Sequence, residues 1–179
     1  LKWIRLLYCY PKRFTDELLN FMATEPKICK YIDLPLQHAH NDVLKAMARQ
    51  DTKEEIEDLL LRIRKIMPTA TIRTSFIVGF PGESIEHYET LKEFIIKQRF
   101  DKVGIFTYSK EEDTVAFTME QQVSEEIKQE RYHELMAIQS KISEEINQSL
   151  EDQELEVLIE GRDSEQENVT YGRSYREAQ

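Results

Sequence analysis

Two hydrophobic periodicities alternate along this chain. Short apolar runs rich in β-branched and aromatic residues are typical of buried strands, and apolar residues recurring every three or four positions are typical of amphipathic helices. The predicted strands cover residues 3–10, 30–36, 71–78 and 102–109. The predicted helices cover residues 16–24, 43–48, 52–67 and 84–99, with a long helix starting at 124. Four strand–helix units in succession predict an α/β fold with a parallel sheet and right-handed crossovers.

The pattern divides the chain into three segments. Residues 1–123 hold the four units, which are about half of what a closed eight-stranded barrel of roughly 200 residues or more requires. The sheet is therefore open, or further strands precede it. Residues 124–150 form the long helix, whose apolar stripe is a packing face. From residue 151 the pattern changes to short alternating strands at 154–160, ended by Gly161, and at 169–174, so residues 151–179 are the start of a second unit.

A glycine turn follows the third predicted strand. The strand-like run 71–78 leads directly into Gly79 and Gly82, and Ser84 opens the next helix. Glycines at such a turn let the backbone come close to another group. Because ligands of α/β proteins bind at the carboxyl ends of the strands, this turn predicts a small-molecule site.

Polar residues occupy one face of the second and third predicted strands. Alternation places Asp33 and Gln37 on the same face, which adjoins the face carrying Arg73 and Ser75. Two interpretations remain open: an Asp33–Arg73 pair inside a packed barrel, or a polar cavity in which Arg73 binds a carboxylate.

Two ionisable residues near the strand ends also have two interpretations. His38 is either a ligand contact or catalytic base, or a hydrogen-bonded surface residue. Glu83 is either a ligand contact or a residue favoured by the positive end of the following helix. The acids at 111–113 are typical of a solvated turn rather than a metal site.

Composition limits the classes of function. A net charge of −10 argues against nonspecific binding of nucleic acid. No run reaches the ~18 apolar residues of a membrane span. Cys9 and Cys29 are expected to be reduced, buried thiols of a cytoplasmic protein. Since the chain starts at Leu1, in a strand-like run, we interpret it as an internal fragment.

Four segments carry a resemblance to a known family. They are Leu34-Pro-Leu-Gln-His38, Arg73-Thr-Ser-Phe-Ile-Val-Gly-Phe-Pro-Gly-Glu83, Val103-Gly-Ile-Phe-Thr-Tyr-Ser109 and Val157-Leu-Ile-Glu-Gly161. In this order, and over essentially the whole chain, the sequence resembles the radical S-adenosylmethionine methylthiotransferases. It is most similar to the RimO-type branch, which modifies the β-carbon of an aspartate in ribosomal protein number twelve of the small subunit.

Three features favour this branch over the MiaB-type branch, which modifies adenosine in transfer RNA. The first predicted strand reads Trp3-Ile-Arg-Leu-Leu-Tyr-Cys-Tyr-Pro11. The second ends in Gln37-His38, where the transfer-RNA branch usually has Gln-Ser-Gly. The polar loop carries Glu111-Glu112, where that branch has Arg-Pro.

The resemblance implies a fold and a cofactor site. The four strands would be the last four of a six-stranded, partial TIM-like radical SAM barrel, and residues from 151 would begin a TRAM domain. Ile77 and the Gly79 turn would flank the adenine of S-adenosylmethionine, and Gln37 would contact its ribose or methionine part. The expected cofactor-binding residues are Gln37, His38, Arg73, Ser75, Ile77, Gly79, Glu83, Phe106 and Tyr108.

The chain departs from the family pattern in two places. Asp113 stands where the pattern has glycine, which leaves the turn type of that loop open. The family's C-x3-C-x2-C triplet, which binds a 4Fe–4S cluster, does not occur. The resemblance implies two such clusters in the parent protein, with their ligands upstream. We therefore expect no cluster, metal ligand, catalytic residue or activity in this fragment alone.

The expected partner is the ribosomal protein substrate, with self-association possible through the exposed edge of the first strand. Two alternatives remain open. One is the MiaB-type activity on transfer RNA. The other, from a different class, is a non-catalytic β/α scaffold or interaction module whose Gly79 turn binds nothing.

Overall fold

Four parallel strands form the central sheet of the computed structural model, which describes residues 1–162 and 169–178. Their order is β1-β2-β3-β4, the same as along the chain. The strands are β1 Ile4–Leu6, β2 Ile28–Gln37, β3 Thr71–Val78 and β4 Lys102–Thr107. Sequential parallel pairing with intervening helices confirms the predicted fold class.

Six α-helices accompany the sheet in the part of the chain that the structure describes. They are α1 Asp16–Thr24, α2 Asn41–Ala46, α3 Lys53–Ile66, α4 Ile85–Gln98, α5 Val115–Thr118 and α6 Glu125–Gln148. The capping box predicted from Thr52 and Glu55 forms at the start of α3. Ser84 and Ser124 cap α4 and α6 as expected. Among the described residues, no helix has the length and apolarity needed to cross a lipid bilayer.

The helices cover one face of the sheet. On that face Leu34, Phe76 and Val78 are fully buried. On the other face Ser75 and Ile77 stay partly exposed, as the alternation of the two strands predicts. The chain therefore has one packed face and one open face, and the open face carries the polar positions.

The first strand is shorter than predicted. Residues 3–10 were expected to form it, but only Ile4–Leu6 pairs with β2. Tyr8 has a φ of 53°, which no strand accommodates. Its N–H donates to the Asp33 carboxylate instead of a ladder carbonyl. β1 lies at the edge of the described sheet, with Ile4 and Tyr8 exposed.

A hairpin follows α6. β5 Val157–Arg162 and β6 Thr170–Ser174 pair antiparallel. Gly161 was expected to end β5, but it lies within the strand at a register shift. A Cβ on Gly161 would lie 2.6 Å from the Tyr171 hydroxyl, so the glycine permits a close cross-strand approach. The short helix α5, within the loop predicted at 110–123, was also not expected.

Candidate functional site

A cavity of about 740 Å³ opens on the uncovered face, at the carboxyl ends of β2, β3 and β4. Its lining comes from these strand ends, from the segment after α2, and from the loop that includes α5. It comprises Gln37, Ala46, Met47, Ala48, Arg49, Ser75, Ile77, Phe80, Phe106, Thr107, Tyr108, Ser109, Glu111, Thr114, Val115 and Ala116. This is the edge at which parallel α/β proteins bind ligands.

The structure brings together five of the nine residues expected at the cofactor site. Gln37, Ser75, Ile77, Phe106 and Tyr108 all line the cavity. The other four, His38, Arg73, Gly79 and Glu83, are not among its lining residues. They have structural partners, described below.

Gln37 reaches the cavity because β2 is irregular at its end. Pro35 has no N–H, and the N–H of Leu36 donates to the Thr74 hydroxyl oxygen at 3.4 Å. The register with β3 shifts between Leu34 and Gln37, and Gln37 has a φ of 72°. A left-handed glutamine costs of order 1–3 kcal/mol, and such outliers concentrate at ligand sites.

Ile77 and Phe106 form an apolar wall. They are neighbours in register on β3 and β4. Phe106 is 55% exposed, because it lies with Ile77 on the uncovered face of the sheet. A flat, apolar group could therefore lie against this pair at the open edge of the cavity.

Tyr108 supplies an unpartnered polar group. Its hydroxyl is buried and has no hydrogen-bond partner among the described residues. The ring packs edge-on against Phe80, with the ring centroids 5.3 Å apart. Lys128 donates from Nζ to the Tyr108 carbonyl oxygen at 3.0 Å. These contacts fix the ring and the main chain of Tyr108, and they leave its buried hydroxyl without a partner among the described residues.

Sequence reasoning did not identify Arg49 as a lining residue. Its guanidinium lies over the Tyr10 ring, 4.8 Å from the centroid, and donates to the Pro35 carbonyl oxygen at 3.0 Å. Its Nε has no partner among the described residues. Arg49 comes just after α2, where Ala48 turns the chain with a φ of 55°. No local pattern marks such a turn at alanine, so only the fold could place this cation.

Arg73 lies lower on β3 and makes the ion pair that one interpretation predicted. Its Nη1 is 2.7 Å from Asp33 Oδ1, and the Asp33 side chain is 1% exposed. Burial lowers the pKa of Arg73, but the bond and charge of Asp33 outweigh it and raise the pKa above its usual value. Arg73 is not among the residues that line the cavity, and its expected role in cofactor binding stays a prediction.

Glu83 holds the glycine turn rather than facing the cavity. Its side chain is fully buried and accepts a hydrogen bond from the Gly79 N–H at 2.9 Å. Arg131, on α6, donates to the Glu83 carboxylate at 2.5 Å. Burial raises the pKa of Glu83, but His38, the Gly79 N–H and Arg131 together bring it below its usual value.

His38 completes this buried cluster. Its Nδ1 accepts from the His40 N–H at 3.0 Å, and its Nε2 lies 3.5 Å from Glu83 Oε2. Burial lowers the pKa of His38, and the nearby Glu83 offsets this only in part. The imidazole is therefore neutral, with its proton on Nε2 toward the carboxylate.

Gly79 makes a close approach to a side chain of α6. It has a φ of 74°, and a Cβ there would lie 2.2 Å from Cγ of Lys128. The glycines of this turn were expected to let a ligand come close. On the side of Gly79 that faces α6, the group that comes close is the aliphatic part of the Lys128 side chain. The sequence pattern did not predict that Lys128 and Arg131 contact this turn, because both lie outside the apolar stripe of α6, on positions typical of a solvated helix face.

Comparisons with known proteins place these features in a family context. The sequence profile of the radical SAM superfamily matches residues 2–95. The chain is 52% identical over 174 residues to the "ribosomal protein uS12 methylthiotransferase RimO" of Desulforamulus reducens, covering 97% of this chain and 39% of that protein. The protein of the same name from Heliobacterium modesticaldum is 50% identical, with 99% and 38% covered. The chain thus spans about two-fifths of the length of these relatives.

A solved structure has the same fold. Coproporphyrinogen III oxidase (HemN) from Escherichia coli, described as a radical SAM enzyme, aligns with a TM-score of 0.64. The alignment covers 78% of this chain and 32% of that one, at 18% identity. It therefore bears on the fold alone.

Proposed function

Because the chain belongs to the radical SAM superfamily, we propose that it forms the S-adenosylmethionine-facing half of a RimO-type methylthiotransferase barrel. The observation that carries the proposal is the cavity at the carboxyl ends of β2, β3 and β4. Five residues that the family resemblance marks for the cofactor converge there. The Tyr108 hydroxyl, which has no partner among the described residues, and the left-handed Gln37 lie at the same opening.

The lining suits the parts of S-adenosylmethionine. Ile77 and Phe106 would hold the adenine, and the Tyr108 and Ser75 hydroxyls would be the hydrogen-bonding groups for its polar edge and for the ribose. Gln37 and Arg49 lie on the β2 side of the cavity, where an amide and a guanidinium suit the polar methionine end. The residues present therefore fit the cofactor.

They do not fit an iron–sulfur cluster. The chain has two cysteines; Cys9 is half-buried and Cys29 is buried. Burial raises the pKa of both thiols, which opposes the thiolate form that binds iron. In this proposal the cluster thiolates come from another part of the protein. A reduced cluster with S-adenosylmethionine supplies the radical chemistry, and this chain binds and orients the nucleoside.

The proposed substrate is ribosomal protein uS12, which makes the working location the cytoplasm. A ribosomal protein binds RNA phosphates and is accordingly basic. The net charge of −10 on this chain would attract such a partner and repel transfer RNA. The hairpin β5–β6 begins the TRAM domain in this proposal. It presents Ile159 and Tyr171 largely exposed.

A binding experiment on this chain tests the cofactor assignment. S-adenosylhomocysteine is titrated into the protein and followed by ligand-observed NMR. Phe106→Ala should weaken binding at least fivefold, because the adenine loses its aromatic support. Phe21→Ala is the matched control, since both phenylalanines are 55% exposed and Phe21 lies on α1, outside the cavity. Equal affinities for both variants and the native chain would refute the assignment.

An activity experiment tests the substrate. The full-length protein is reconstituted anaerobically with iron and sulfide and given S-adenosylmethionine, a reductant, and either a uS12 peptide or transfer RNA. Mass spectrometry should detect a methylthio group on an aspartate of the peptide. Modification of adenosine in the RNA alone would replace the proposal with the MiaB-type function. Modification of neither would return the chain to the scaffold alternative.

A further inference from the structure

Three potential metal ligands meet where α2 and α4 begin. His40 is the N-cap of α2, Asp42 lies in the first turn of the same helix, and His87 lies in the first turn of α4. None of them lines the cavity. The main-chain N–H of His40 donates to His38 Nδ1, so the three residues border the His38–Glu83–Arg131 cluster. The proposed function assigns them no role.

Their geometry is close to that of a metal site. The two imidazole rings lie 4.2 Å apart, centroid to centroid, at an interplanar angle of 34°. Asp42 Oδ2 is 3.9 Å from His40 Nδ1 and 4.0 Å from His87 Nε2. One ligand atom from each residue lies within 4.8 Å of the other two. Bonds of roughly 2.0–2.2 Å to one ion place tetrahedral ligands about 3.3–3.6 Å apart, so side-chain movements below about 1 Å suffice.

The donor set indicates which ion would bind. Two imidazoles and one carboxylate are the ligands of many zinc sites, and imidazole favours transition metals over Mg²⁺ or Ca²⁺. The His40 and His87 side chains are only 23% and 20% exposed, so packing restricts both rings. Asp42 is 77% exposed, which gives its carboxylate freedom to adjust and leaves the remaining coordination positions to water.

Binding must compete with helix capping. Nδ1 of His40 accepts the Asp42 N–H at 3.2 Å, and Nδ1 of His87 accepts the Ser84 N–H at 3.3 Å. A metal on Nε2 of His87 moves the ring proton to Nδ1, which gives up the capping hydrogen bond. Each helix thus exchanges one first-turn hydrogen bond for a metal bond, so the site is weaker than one built only for zinc.

We propose that His40, Asp42 and His87 form a divalent transition-metal site, with zinc as its best-fitting ion. The ion ties the start of α2, three residues after Gln37 at the end of β2, to the start of α4, which follows the Gly79 turn. Two segments that shape the cavity would then be joined from outside by a single atom.

The test is a titration of the full chain with Zn²⁺ alone, by calorimetry in a non-chelating buffer. The native chain should bind one Zn²⁺. His40→Asn keeps an N-cap residue, and His87→Gln keeps the capping box, so both remove the imidazole and preserve the helix start. Each should weaken Zn²⁺ binding at least tenfold. His133→Gln, an exposed histidine on α6, is the matched control and should leave affinity unchanged.

Thermal unfolding separates loss of the site from loss of the fold. Without metal, His87→Gln should melt close to the native chain, and added Zn²⁺ should raise the melting temperature of the native chain only. A Cys9→Ser, Cys29→Ser double variant should still bind. The proposal is overturned if the native chain binds no Zn²⁺, if the histidine variants bind as the native chain does, or if the cysteine variant loses binding.

Discussion

Replacing Arg131 should destabilise the folded chain mainly through the loss of one interaction, its buried ion pair with Glu83. Arg131→Met removes the cation that neutralises Glu83, a carboxylate whose side chain is fully buried. Methionine fills much of the same volume, so the main loss is electrostatic. Breaking a buried ion pair by removing one partner typically costs about 3–5 kcal/mol, because the remaining charge has no solvent. We expect the free energy of unfolding to fall by this amount.

The surroundings of Glu83 bear on the magnitude. The carboxylate keeps the Gly79 N–H as a donor and the neutral His38 beside it. These contacts solvate the charge in part and favour the lower end of the range. Arg131 also donates to the Glu83 main-chain carbonyl oxygen at 3.2 Å and lies over the Tyr88 ring, 5.1 Å from the centroid. The loss of these two contacts adds to the destabilisation and favours the upper end of the range.

Urea unfolding followed by circular dichroism measures the change. Lys97→Met is the control, because Lys97 pairs with Glu57 across the surface and is 66% exposed. Exposed pairs are worth about 0–1 kcal/mol. A double variant, Arg131→Met with Glu83→Gln, should recover part of the loss, since the uncompensated charge is then gone. If Arg131→Met costs no more than Lys97→Met, the electrostatic reasoning is refuted.

The pH dependence supplies a second check. The folded pKa of Glu83 lies below its unfolded value. Its contribution to stability is therefore complete above the unfolded pKa, near pH 4.3, and is lost as the pH falls through the folded pKa. The difference in unfolding free energy between native and Arg131→Met should be largest near pH 7 and shrink below about pH 4. A difference that is constant from pH 7 to pH 3 would contradict the assignment.

Three further outcomes are expected. Gly79→Ala should lower the free energy of unfolding by about 2–4 kcal/mol in the same urea assay, because of its positive φ and the clash with Lys128. Adding Lys128→Ala should recover the part of this loss that comes from the clash but not the part that comes from the φ angle. Asp113→Gly should leave stability unchanged or raise it by up to about 1 kcal/mol, because Asp113 has a φ of 64°; a loss in melting temperature would count against this. The exposed edge of β1 should promote self-association, and a strictly monomeric mass by light scattering at high concentration would disprove it.

Features that depend on near neighbours were predictable from the sequence. The capping box of Thr52 and Glu55 joins residues three apart, and the alternation along β3 needs only the pleat of the strand. Each of these predictions uses information within a few positions.

Features that join distant segments were not predictable in the same way. Glu83 was read as a ligand contact or a helix-end charge, whereas Arg131, 48 residues later, determines its role. For Arg73, strand alternation left both a pair with Asp33 and a position in the cavity open, and the pair forms because Asp33 and Arg73 are neighbours in register. Alternation predicts which face of the sheet a residue occupies, but the extent of the cavity along that face depends on the loops above it.

Two residues of α6, Lys128 and Arg131, contact Gly79 and Glu83 at the turn after β3. These contacts have a consequence for how the chain folds. Local signals can form α4 as soon as it leaves the ribosome, but 48 residues must follow Glu83 before Arg131 exists to meet it. Contacts of long sequence separation form late, because they must first overcome the entropy of closing the loop. We therefore expect the Gly79 turn to be among the last parts of the sheet to become ordered. The Glu83 carboxylate should stay hydrated until α6 docks.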